Sequence, residues 1–207
     1  MHRPAAHGSS TKLIPIESRA HATLRYIRST MEAAASLAVP GSAGMALGAV
    51  GLAAFAVASM PSWSDDWLEI WLAAAVVAAL VSGLLLARQW RVHGSSLLRA
   101  PVRKFATCLL PTLFAGAVLT GVELSNGQLK VLPGTWLLLY GCALIAASAA
   151  ATRLLAALGA LFVLLGLAAL LAPPASHNAL LGAGFGALHL IFGAYLKERG
   201  RNASQGR

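Results

Sequence analysis

Between residues 179 and 196 the chain reads ALLGAGFGALHLIFGAYL, without a charge until Lys197. As a helix rising about 1.5 Å per residue, this run is about 27 Å long, close to the hydrocarbon thickness of a bilayer. Five further apolar runs precede it, at 41–60, 67–87, 105–124, 131–151 and 154–172. A segment crossing lipid must satisfy its own backbone hydrogen bonds, as a helix does. The expected fold is therefore all-α: a polytopic membrane protein with six transmembrane helices. Composition agrees, because 57% of residues are hydrophobic and only 11% charged, where a soluble domain has about a quarter charged.

The domain plan comes from the same pattern. Residues 1–15 mix Pro, Gly, Ser and basic residues without periodicity and read as a disordered tail. Over 16–38, Leu24, Ile27 and Met31 recur at helical spacing among Arg19, Arg25 and Arg28, the pattern of an amphipathic helix on a membrane surface or of a short lead into the first span. Polar residues persist through Glu32, unlike a cleaved signal peptide, so the first apolar run is expected to stay as a span. The membrane domain covers 39–196 and a basic, flexible tail 197–207. Arg88 to Lys104 reads as the longest internal loop, and Thr152-Arg153 as a tight hairpin dividing the long run between Val131 and Ala172.

The formal net charge of +9 is explained by sidedness. With residue 1 inside, the inner segments carry Arg3, Lys12, Arg19, Arg25 and Arg28; Arg88, Arg91, Arg99, Arg103 and Lys104; Arg153; and Lys197, Arg199, Arg201 and Arg207. The outer side carries only Lys130. This is the positive-inside bias, and it places both termini of a multi-pass membrane protein in the cytoplasm. The charge calls for no nucleic acid, since no basic stripe or aromatic platform of a soluble binding fold accompanies it.

Small residues mark how the helices pack. Gly41, Gly44, Gly48 and Gly51 form a stripe on span 1, and Gly134, Gly141 and Ser148 repeat every seven residues on span 4. Gly182, Gly186, His189 and Gly193 share one face of a regular α-helix in span 6. In lipid such seams allow the close backbone approach that holds helices together, so span 1 is expected inside the bundle. Pro111 is expected to kink span 3, and Trp63, Trp67 and Trp71, four apart, read as interfacial anchors.

Residues able to do chemistry are few. No Asp, Glu, Lys or Arg occupies the middle of a span, which argues against an ion-coupled pump. No HExxH, Ser-His-Asp set or GxxxxGK loop occurs either, so the chain reads as no enzyme. His189 is the one intramembrane histidine. Its depth, counted from the end of its span, lets it meet Cys142 across a helix interface, with Tyr140 a turn away. One His and one Cys make neither a metal site nor a haem site, so no cofactor is expected. On the outer side Asp65, Asp66, Glu69 and Glu123, with His177, form a candidate acidic cluster for a cation. Cys108 and Cys142 differ in depth, which argues against a disulfide.

Pro40-Gly41 with Gly48, and Pro133-Gly134 with Gly141, form a short echo between spans 1 and 4. A three-plus-three repeat on this echo would be inverted, as in many carriers, because span 1 starts inside and span 4 outside. The phrases TLRYIRSTME leading to AVPG, PGTWLLLYG and ALLGAGFGALHLIFGAYL resemble a group of uncharacterised bacterial six-span integral membrane proteins. That resemblance spans Thr23 to Leu196 and implies a membrane component of a regulated response. The expected role is a non-enzymatic assembly, sensing or regulatory component, partnered by the bilayer and by a second copy or another membrane protein. A small carrier or channel for a neutral or lipophilic solute is the alternative.

Overall fold

The computed structural model describes residues 23–24, 41–93, 99–149 and 152–205. The tail expected over 1–15 and nearly all of the segment 16–38 lie outside them. Helix α1 (Gly41–Ala58) is followed by α2 (Trp67–His93) and α3 (Arg99–Ser125). Helices α4 (Leu132–Ser148) and α5 (Arg153–Leu171) come next. The last span is composite: α6 (His177–Leu181), a π-helical segment (Gly182–Leu188) and α7 (His189–Gln205). Six stretches are long and apolar enough to cross a membrane, Gly41–Ala58, Trp67–Leu85, Phe105–Ser125, Leu129–Ser148, Arg153–Leu171 and Pro174–Asn202. The chain is an all-α bundle of six membrane-spanning helices.

The turns show why the spans end where they do. At the end of α3, Gly127 adopts a φ of 69°, and Gln128 N–H donates to Glu123 O at 2.8 Å. This is a Schellman closure, in which only glycine takes the left-handed position without strain. Between α4 and α5, Thr152 is extended at φ −123° and ψ 152°, consistent with a tight hairpin there. Two expected loops are instead largely helical. Helix α2 runs on to His93 and α3 starts at Arg99, so much of the stretch from Arg88 to Lys104 continues two spans. The expected flexible tail likewise continues α7 as far as Gln205. Charged residues with long stems are good helix formers, and no Gly or Pro interrupts them at Arg88–His93.

Two glycine seams hold the bundle. Helix α1 lies against the last span, where a Cβ on Gly48 would meet Leu190 N at 2.5 Å and one on Gly51 would meet Phe185 O at 2.5 Å. From the other side, Gly186 faces Leu52, Gly182 faces Phe55, and Gly193 closes on Gly41 O and Met45 N. Helices α4 and α5 pair still more intimately: a Cβ on either Gly141 or Gly159 would lie 2.7 Å from the other's carbonyl oxygen. Gly134 and Gly166 repeat that reciprocal approach one step along, each 3.1 Å from the other's carbonyl. Ser148 is half-buried, and its hydroxyl donates to Ile145 O of its own helix at 2.6 Å.

Helix α2 packs on α1, and α3 on α4. Both are outlying. Only 11% of the span within α2 and 6% of the span within α3 is buried, against 28% to 44% for the other four. Helix α1 is interior on its glycine face alone, since Ala49, Ala53 and Ala56 are exposed on the other.

Candidate functional site

The most buried polar contact lies where α4, α5 and the last span meet. His189 is 4% exposed, and its Nε2 stands 2.8 Å from the Tyr140 hydroxyl. Its Nδ1 lies 3.4 Å from Gly184 O. A carbonyl can only accept, so Nδ1 carries the proton of the neutral ring, and Nε2 accepts from the Tyr140 O–H. Both ring nitrogens are thereby used. The ring sits among aromatic neighbours: Phe162 meets it edge-on at 5.2 Å, and Phe185 stacks on it at 6.3 Å and 12°. Tyr140 in turn touches Phe162 at 4.9 Å and Phe185 at 5.3 Å.

The π segment helps to explain how His189 reaches this place. On a regular α-helix it shares a face with Gly182, Gly186 and Gly193, but hydrogen bonding to i+5 spends more residues on each turn and shifts the phase of the residues beyond it. Gly182, Gly186 and Gly193 all face α1, whereas the His189 side chain, at the end of the π segment, is directed to Tyr140 of α4 and Phe162 of α5. Gly184 faces Leu137 and Phe162, leaving room for the rings beside it.

Cys142 is not part of this cluster. It is exposed on α4, because two residues along a helix correspond to about 200° of rotation and Tyr140 already takes the inward direction. Cys108 is half-buried on α3. The outer acids are likewise not gathered: Asp65, Asp66 and Glu69 are exposed and Glu123 is half-buried. No three His, Cys, Asp or Glu among the described residues converge to hold a metal ion. Hydrated carboxylates of like charge gain nothing by converging without a cation. His177 is buried at the head of α6, with Nε2 lacking a hydrogen-bond partner among the described residues.

A second polar link was not evident in the sequence. Asn178 accepts from the Trp71 indole N–H at 3.0 Å and donates to Phe55 O at 3.2 Å and Ser59 Oγ at 2.8 Å. One amide thus joins α2, α1 and the last span. Trp71 is 5% exposed and meets Phe185 at a tilt, with ring centroids 6.2 Å apart, so it is a core residue and not an interfacial anchor. Trp67 packs on Trp136 at 6.2 Å, and the Trp136 N–H donates to Thr120 Oγ1 at 2.8 Å, tying α4 to α3. Trp63 alone of the three remains exposed, at 50%. The usable signals were Asn178, a lone amide at the mouth of a span, and Phe185, one turn before His189.

Chemically, the Tyr140–His189 pair is a clasp between helices, with no nitrogen left for a substrate. Tyr140→Phe is expected to lower stability by about 1–2 kcal/mol, because it leaves a buried acceptor unpaired. His189→Leu made in that background should cost less than in the wild-type chain, with a coupling of about 1 kcal/mol. Unfolding in mixed micelles measures both, and strictly additive losses would show that the bond contributes nothing. No family model matches the chain, and comparison with curated proteins and with solved structures gives no match either.

Proposed function

We propose that the chain is a non-enzymatic membrane protein that acts by assembling with a second copy of itself or with another membrane protein. One observation carries this reading: α2 and α3 bury only 11% and 6% of their spans, while the other four bury 28% or more. Their uncovered side chains are large and apolar, among them Leu80 at 63%, Leu84 at 65%, Leu110 at 62% and Phe114 at 72% exposed. Lipid tails solvate such faces adequately, so a partner helix must add packing contacts to displace them. A packed core of α1, α4, α5 and the last span, with two outlying helices, suits a component whose partner docks on those helices. The lysine and arginine bias supports an orientation with both ends in the cytoplasm.

The test uses the full chain in native lipid with Cys108→Ser and Cys142→Ser as background. Single cysteines at Leu80 or Phe114 are expected to cross-link to a partner or a second copy, whereas one at Leu171 on α5 is not. A lone monomer, with no adduct at either position, would overturn the proposal. A carrier for a neutral solute is a second reading. It is favoured by the neighbour pattern, in which α1 touches α2 and the last span as α4 touches α5 and α3. Labelling of Ser82→Cys and Thr112→Cys by an impermeant thiol reagent from both sides of the membrane would support it.

A further inference from the structure

Among the described residues, one end of the bundle carries Arg88, Arg91, Arg99, Arg103, Lys104, Arg153, Lys197, Arg199 and Arg201, with Glu198 as its one acid. The opposite end carries Lys130 with Asp65, Asp66, Glu69 and Glu123. Membrane sidedness explains the bias but not its form. The apolar window of α2 closes at Leu85 while the helix continues to His93, and that of α3 opens at Phe105 while the helix begins at Arg99. The charges therefore stand on ordered helix ends.

Depth and composition both point to phosphate. At about 1.5 Å per residue, Arg88 lies about 4.5 Å beyond the apolar window and Arg103 about 3 Å, inside a headgroup layer about 5–7 Å thick. Arg153 opens its span, and the backbone of Lys197 packs on Gly41 at the start of α1. Arginine predominates over lysine in this set, and its planar fork matches phosphate oxygens bidentately. Arg88, Arg103, Arg153 and Lys197 are all exposed. Glu198, the acid of this end, stands 3.6 Å from Arg201, and Arg199 lies over the Tyr195 ring at 5.8 Å.

The same helices extend this match into the membrane. On α2, Leu80, Leu84 and Arg88 occupy successive turns of one face; on α3, Arg103, Leu110 and Phe114 share another. Each stripe is exposed and runs from an apolar stretch to a guanidinium, the order of acyl chain and phosphate in a lipid, which would occupy whatever part of these faces a partner helix leaves uncovered.

We propose that the basic ends of α2 and α3 each bind anionic phospholipids of the adjoining leaflet, with Arg88 on the one and Arg103 on the other each placed at the depth of a lipid phosphodiester. The test reconstitutes the full chain in phosphatidylcholine bilayers doped with phosphatidylglycerol and measures boundary-lipid selectivity with spin-labelled forms of each. Phosphatidylglycerol is expected to be preferred at low salt, and the preference should fall as salt rises. Arg88→Gln with Arg103→Gln should reduce it about fivefold or more. Arg88→Lys with Arg103→Lys should keep part of it, and Lys130→Gln, at the other end, all of it. Equal association of both lipids, a salt-independent preference, or an equal loss from Lys130→Gln would overturn the proposal. Complete displacement by inorganic phosphate would also overturn it, by showing a site for soluble anions.

Discussion

Gly51→Ala is expected to loosen the first span from the last and to cost stability at the upper end of the about 1–3 kcal/mol seen on overpacking. The added methyl would stand 2.5 Å from both the carbonyl carbon and the oxygen of Phe185 and 2.7 Å from Gly186 N. Backbone atoms cannot rotate away as a side-chain tip can, so the two helices must separate along the seam. Gly141→Ala should behave alike, since its Cβ would meet Gly159 O at 2.7 Å and Val163 N at 2.8 Å. The controls are Gly83→Ala and Gly121→Ala, whose Cβ positions have nothing within 4 Å; near neutrality is expected there, since alanine favours the helix. Unfolding titrations in mixed micelles separate the two classes. Equal effects at all four positions would refute the close approach.

Phe162→Ala is expected to be at least as damaging, at about 3–5 kcal/mol. Phe162 is fully buried at 0% exposure and touches the rings of Tyr140, Phe185 and His189. In a membrane its loss is mainly one of packing contacts, because lipid tails are as apolar as the site it leaves. The cavity would open beside the Tyr140–His189 bond and free its partners to turn, so the coupling between those two residues should fall in the same variant. Leu171→Ala removes a side chain that is 89% exposed, and little change is expected. A Phe162 variant as stable as the Leu171 variant would mean the aromatic cluster is not the core.

Architecture was legible because its signal is local. A run of apolar residues long enough to cross a bilayer predicts a span whatever its neighbours do, and the glycine stripe of α1, also local, lies on the face that meets the last span. His189 stood out for the same reason, as a lone histidine in an apolar run. Its partner did not. Tyr140 and Cys142 both lay at compatible depths, and the choice between them depends on the direction each takes around α4, which the reciprocal approach of Gly141 and Gly159 sets. Trp71 looked like its neighbours Trp63 and Trp67, and only the Asn178 carbonyl within reach of its indole N–H shows it to be internal.

The amino-acid order by itself determined the six spans and the segregation of basic residues to one end, since each depends on the free energy of placing a segment in water or lipid. Tertiary structure alone decided which seams meet, that the last span takes a π-helical form over Gly182–Leu188, and that His189 turns to Tyr140. Those outcomes depend on how backbones from distant parts of the chain fit at contact distance, and no periodicity within one helix encodes the shape of the helix opposite.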